Sequence, residues 1–222
     1  MTSSPEPGEF LALLSEDEVA DLREIGRLRR WDRGATLMSE GDTSDWALVL
    51  TSGRVKVSSH TANGNEVVLA IRGPGSLLGD MSVISGEPRS GTVTALEPVE
   101  GYVVRDFAGF LNDHGRVAVL LLKLVVGRLR DSDRKRVEYG AFDTTGRVAT
   151  RLVELAERFG EPSGAAVKIA LPLSQDELAG WTGASREAVS KALRTLRDRG
   201  LIETGRRRVT IHDLQALRRR AR

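Results

Sequence analysis

The chain has 222 residues, enough for one or two domains with a sizeable buried core. It contains no cysteine, which excludes disulfides, thiol redox sensing, cysteine-ligated zinc and thiolate-held iron–sulfur clusters. The net charge of +2 hides an imbalance: Val167–Arg222 carries 13 Lys and Arg against 6 Asp and Glu, so a basic C-terminal module follows a mildly acidic body, the footprint of a nucleic-acid partner for one part only.

Residues 1–8 are rich in Ser, Pro, Glu and Gly, and a loose segment is expected there. No basic run precedes an apolar one at the N-terminus and no stretch approaches 18 apolar residues. Neither a signal peptide nor a membrane span is expected, and the expected location is cytoplasmic. Phe10–Leu14 reads as a short apolar turn. Ser15 with Glu18 forms a capping box that starts a helix reaching about Gly26, with Val19, Leu22 and Ile25 on one face.

From Leu28 to Val104 the texture is that of short strands with turn signals between them. Residues 46–50, 54–58, 66–71, 92–96 and 100–104 read as strands, the second with clean alternation, and Asn63-Gly64 is a hairpin signal. Many short strands with glycine turns imply a sandwich or barrel such as a jelly roll. The run from Gly75 to Val93 has the parts of an anion site. Gly79 lets backbone approach a ligand, and a helix start after it offers free N–H groups. Arg89 supplies a forked cation beside the Ser90 hydroxyl, and Asp80 is an acceptor for a sugar hydroxyl. An Arg and an Asp nine apart in a barrel also suit a structural ion pair, and the residues alone leave both readings open.

From Asp106 the texture is helical: a short helix over Phe107–Leu111, then one long helix from Gly115 to about Tyr139. Leu121, Leu122, Val125, Leu129 and Ser132 lie near a three-four spacing, which suits a seam against a second copy or a core face packed on the barrel. The charged second half (Arg128, Arg130, Asp131, Asp133, Arg134, Lys135, Arg136) requires that this helix be half exposed, which favours a homodimer. Asp143 caps a further helix to about Phe159 carrying Val148, Leu152 and Leu155, and Gly160–Ala165 reads as a loop.

Residues 173–199 read as two helices around a tight turn. Ser174 and Glu177 form a capping box, Gly183 stands at the break, and Ser185 caps the second helix. Leu178, Ala179 and Trp181, then Val189, Leu193 and Leu196, supply the buried faces. Arg186, Glu187, Ser190, Lys191 and Arg194 occupy the opposite face. This is the layout of a helix-turn-helix, in which Arg or Lys reads guanine and Glu accepts from cytosine. Residues 201–204, an Arg206-Arg207-Arg208 turn and residues 209–211 add a basic hairpin, which makes it a winged helix with the arginines over phosphates. A terminal helix ends in Arg218-Arg219-Arg220, a phosphate contact or a solvated tail.

The runs L-G-D-M-S … P-R-S-G-T-V at residues 78–93 and S-R-E-A-V-S-K at 185–191 carry a resemblance that extends from about Phe10 to the terminal helix. The chain resembles the cyclic-AMP receptor protein/FNR superfamily of bacterial regulators. The resemblance implies an α+β architecture: a β-roll (jelly roll) effector domain over 1–114, a dimerisation helix over 115–140 and a winged helix-turn-helix over 141–222. It implies a homodimeric, non-enzymatic transcriptional regulator controlled by a cyclic nucleotide, with cAMP the leading effector. Its partners would be a palindromic TGTGA-like operator in double-stranded DNA and RNA polymerase, without metal or membrane.

Carried over by residue, the ligand set is Gly79, Asp80, Met81, Ser82, Arg89 and Ser90, with Ser132 and Asp133 of the long helix facing the base. The DNA set is Ser174, Gln175, Ser185, Arg186, Glu187, Ser190, Lys191, Arg206 and Arg207. Three positions depart from the family pattern: Asp80 stands for Glu, Gly91 for Ala, and Asp133 puts a charge where a neutral hydroxyl is usual. The alternative is a ligand-independent regulator of the same fold with a degenerate pocket. The absent cysteines and the scattered His60, His114 and His212 speak against cluster-sensing and haem-sensing branches.

Overall fold

The computed structural model describes residues 8–170, 174–205 and 208–221. They form two compact units, one drawn from Met1–Ser59 and Leu69–Arg130, the other from His60–Val68 and Asp131–Arg222. The first begins with α1 (Phe10–Leu13) and α2 (Glu16–Ile25), the latter entered through the expected Ser15–Glu18 capping box. The strands follow: β1 (Arg27–Trp31), β2 (Thr36–Met38), β3 (Ala47–Ser52), β4 (Val55–His60), β5 (Glu66–Arg72) and β6 (Leu77–Leu78). Next come α3 (Asp80–Ser85), β7 (Thr92–Ala95), β8 (Val99–Val104), α4 (Phe107–Asp113) and the long α5 (Gly115–Ala141).

The strands make two four-stranded sheets, β1-β8-β3-β6 and β2-β7-β4-β5. Leu48, Leu50, Val55, Leu78, Val93 and Val103 form the core between them. A second cluster, with Phe10, Leu22, Val49, Phe107, Phe110, Val117 and Leu121, fastens the helices to the outer face of the first sheet. Two expectations change here. Ile25 is exposed, because the chain leaves α2 at Gly26 against Tyr102 and only Leu22 reaches the core. Residues 54–58 do not alternate: β4 is an inner strand, and Val55, Lys56 and Ser58 are all buried.

The long helix α5 is 27 residues and has two apolar stripes. Val117, Leu121, Leu124 and Val125 pack on the cluster below it. Val119, Leu122, Val126 and Leu129, in steps of three, four and three, are exposed. The expected seam therefore mixed two faces: Leu121 and Val125 belong to the chain's own core, and the outward stripe is the other one. Arg128, expected on the exposed charged half, is half-buried against the first unit.

The second unit contains α6 (Thr144–Phe159), β9 (Gly160–Ser163), β10 (Ala166–Ile169), α7 (Gln175–Thr182), α8 (Arg186–Asp198), β11 (Ile202–Gly205), β12 (Arg208–Ile211) and α9 (Leu214–Arg220). Its sheet runs β11-β12-β10-β9. The stretch expected as a loop is thus an edge strand. Its Pro162 is tolerated because β9 pairs on one side only, and pairing with β10 overrides a local sequence without β-branched residues. Val148, Leu152, Leu155, Trp181, Val189, Leu196 and Ile211 are buried together with Ile169.

Candidate functional site

Gly79 sits at φ 76°, the left-handed region that glycine adopts freely, and so turns β6 sharply into α3. A Cβ there would collide with Arg89 Nη1 and stand 2.9 Å from Arg89 Cζ. The turn and the guanidinium are therefore built against each other. Arg89 is buried. Its Nη1 donates to Gly79 O at 2.7 Å and its Nη2 to Trp46 O at 2.5 Å, with the guanidinium 5.0 Å from the Trp46 ring centroid. Its main chain exchanges hydrogen bonds with the Gly41-Asp42 turn, which fixes the strand entry to β7.

Arg89 Nε is buried without a partner, and among the described residues no carboxylate pairs with this cation. Desolvation by burial lowers its pKa, partly opposed by the fields of Asp80, Asp45 and Asp42. A buried guanidinium with a spare donor is suited to an anion that brings its own oxygens.

Asp80 opens α3 and is likewise buried, but its partner is not Arg89. Arg128 of α5 donates through Nη1 to Asp80 Oδ2 at 2.8 Å and through Nη2 to Leu77 O at 2.9 Å. This corrects the ion-pair reading of Asp80 with Arg89. Arg128 and Trp46, which hold Asp80 and Arg89, are residues that sequence reasoning missed. The available signal was the step of seven from Leu121 to Arg128, which keeps both on one face of α5. Of the other expected ligand residues, Ser82 is buried, while Met81 and Ser90 are exposed. Ser132 and Asp133 are exposed on α5 beyond the boundary of the first unit, with Asp133 3.2 Å from Arg136.

In the second unit Ser174 and Ser185, expected as phosphate contacts, cap α7 and α8: their hydroxyls accept from Glu177 N and Ala188 N. Gly183 turns the chain between them at φ 59°. Ser190 donates to Gln175 at 2.7 Å and so ties the start of α7 to the middle of α8. Arg186, Glu187, Lys191 and Arg194 are exposed along α8, with Arg186 3.6 Å from Asp176. The Glu187 carboxyl is held below its usual range by its own backbone N–H and then by the Ser185 hydroxyl. The wing hairpin pairs Ile202 with Ile211 through to Gly205 with Arg208; Arg206 and Arg207 lie outside the described residues. Two of the terminal arginines are held rather than free. Arg218 bonds Glu157 at 2.9 Å and Arg220 bonds Asp143 at 2.5 Å, pinning α9 to α6. Among the described residues no helix is long and apolar enough to cross a membrane.

Residues 28–114 match the cyclic nucleotide-binding domain family, and residues 146–220 match the Crp-like helix-turn-helix domain family. The CRP-like cAMP-activated global transcriptional regulator of Mycobacterium tuberculosis is 33% identical over 98% of this chain and 94% of its own length. The cyclic AMP receptor protein of Thermus thermophilus is 27% identical over 92% of each chain. A solved CRP-family transcriptional regulator, also from Thermus thermophilus, superposes with a TM-score of 0.74 at 27% identity, covering 87% of this chain and 96% of the other. The first and the last of these are named as transcriptional regulators. With an N-terminal nucleotide-binding module, a long helix and a C-terminal DNA-binding module in the same order, the chain belongs to the CRP/FNR superfamily of transcriptional regulators.

Proposed function

We propose that the chain works as a homodimer whose affinity for a palindromic TGTGA-like operator is set by cAMP. The observation that carries the ligand reading is the buried, carboxylate-free Arg89 with its unpartnered Nε, beside a glycine turn that leaves no room for a side chain. In this reading Arg89 and Ser90 hold the cyclic phosphate, and Gly79, Met81 and Ser82 shape the cradle. Asp80 takes the ribose hydroxyl, and Ser132 and Asp133 meet the base. Two relatives named for cAMP support that choice of nucleotide.

The exposed stripe Val119, Leu122, Val126 and Leu129 supports pairing of α5 with a second copy. Two recognition helices would then reach successive major grooves about 34 Å apart. Arg186, Glu187 and Lys191 read bases, and Ser174, Gln175, Ser185, Ser190, Arg206 and Arg207 contact the backbone. RNA polymerase is the partner through which such a regulator acts, in the cytoplasm. The ligand supplies the switch only through a difference in affinity for the two arrangements of the dimer.

Calorimetry with cAMP and cGMP, on the wild type and on Arg89→Ala, tests this reading. Saturable cAMP binding that the variant loses is expected, together with tighter operator binding by the cAMP-saturated protein. Absence of heat with either nucleotide would overturn it. The ligand-independent alternative would then stand, favoured by the engagement of Asp80 with Arg128.

A further inference from the structure

The corner between α5 and the helix-turn-helix holds a buried cation that neither the effector pocket nor the base-reading face uses. Arg151, on α6, is 4% exposed. It pairs with Glu138, in the last turn of α5 and itself buried, and with Glu154 at 2.6 Å one turn along its own helix. Its guanidinium lies 5.8 Å from the ring centroid of Trp181, the largest fully buried side chain of α7. One side chain therefore touches the end of α5, α6 and the first helix of the helix-turn-helix.

A second set of contacts reinforces the same corner. Tyr139, next to Glu138, stands 3.0 Å from where a Cβ on Gly183 would lie, and its hydroxyl donates to Trp181 O at 3.5 Å. Arg147 joins Thr182 O to Phe142 O, each at 2.7 Å. The turn that sets the direction of α8 is thus gripped by the last residues of α5.

We propose that Arg151 is a positioning residue for DNA recognition: by fixing Glu138 and Trp181 it sets the angle at which α8 departs from the last turn of α5. A buried ion pair contributes little net stability over a well-packed apolar pair, and its best-attested use is to select one geometry. Arg151 touches no DNA itself. In a dimer, the direction of α8 from the last turn of α5 bears on the separation of the two recognition helices, so the corner acts as a gauge of half-site spacing. This rests on the dimeric, palindromic reading above.

The test uses the full chain and operators whose half-sites are separated by the preferred spacer or by one base pair more or fewer. Affinities are measured for wild type, Arg151→Met, Glu138→Gln and the double variant Glu138→Met/Arg151→Met, which leaves no unpaired buried charge and guards against loss of folding. The wild type should discriminate among spacers, and the Arg151→Met and double variants should lose roughly tenfold or more of that discrimination while affinity for a single half-site is unchanged. A merely structural role would lower the melting temperature and leave the spacer preference in place, which would overturn the proposal. A wild type indifferent to spacing would overturn the palindromic reading, and this proposal with it.

Discussion

Gly79→Ala isolates the contact that shapes the pocket. The residue stands at φ 76°, ψ 4°, where an alanine costs about 1–2 kcal/mol. Gly86, at the other end of α3, has nearly the same backbone, φ 73°, ψ 0°, but nothing lies within 4 Å of where its Cβ would stand. Gly86→Ala therefore carries the backbone strain alone. At Gly79 the new methyl group would collide with Arg89 and come 3.1 Å from Met38 Cε, so the guanidinium must give up its 2.7 Å bond to Gly79 O and move. Misplacing one charge-assisted hydrogen bond to an anion costs about 1.5–3 kcal/mol, or about 10- to 150-fold in affinity. Urea melts should show destabilisation in both variants, the larger in Gly79→Ala, and calorimetry with cAMP should show the affinity loss in Gly79→Ala alone. Equal nucleotide affinities in the two variants would refute the reasoning, whatever their stabilities.

Three further outcomes follow from named contacts. The His114 ring lies 3.0 Å from Asp21, and that hydrogen bond raises its pKa above the usual 6.5. The stabilisation is therefore complete below about pH 6.5 and lost as pH rises through the raised folded value, so a melting-temperature profile from pH 5.5 to 8.5 should fall in the wild type and flatten in His114→Asn. Asp143 accepts from Gly146 N, which lowers its pKa first, with Arg220 adding to the effect. Asp143→Ala should cost about 1–2 kcal/mol at neutral pH in a denaturant melt, a difference that vanishes as pH falls through the depressed folded value. On α5, Leu122→Glu should yield monomers in analytical ultracentrifugation. Leu121→Ala should instead cost about 2–5 kcal/mol of stability without changing the oligomeric state, since Leu121 is buried in its own unit and Leu122 is not.

The helices and their ends were legible because they are marked by local chemistry. Ser15 with Glu18 and Ser174 with Glu177 are capping boxes in sequence and in space, and Asp143 and Ser185 cap where their side chains predict. Gly79 and Arg89 were each singled out by the family pattern that surrounds them, but their direct contact was not. What escaped depends on partners distant in the chain. β9 is a strand only because β10 lies beside it. Trp46 reaches Arg89 from 43 residues away through its carbonyl, a group every residue has. Arg128 looks in sequence like the six charged neighbours that follow it, and only the position of Asp80, 48 residues earlier, distinguishes it. Both stripes of α5 satisfy a helical period, so spacing alone does not say which of Leu121 and Leu122 turns inward.

The two stripes constrain the length of α5. One inserted residue rotates everything beyond it by about 100° and advances it about 1.5 Å, which would carry Arg128 away from Asp80 and turn the outward stripe off its face. Seven inserted residues restore the rotation to within about 20°. A heptad inserted ahead of Arg128 would still advance it about 10.5 Å past Asp80, so the length of α5 is constrained there, and the charged positions Arg128 and Glu138 are tied to their buried partners.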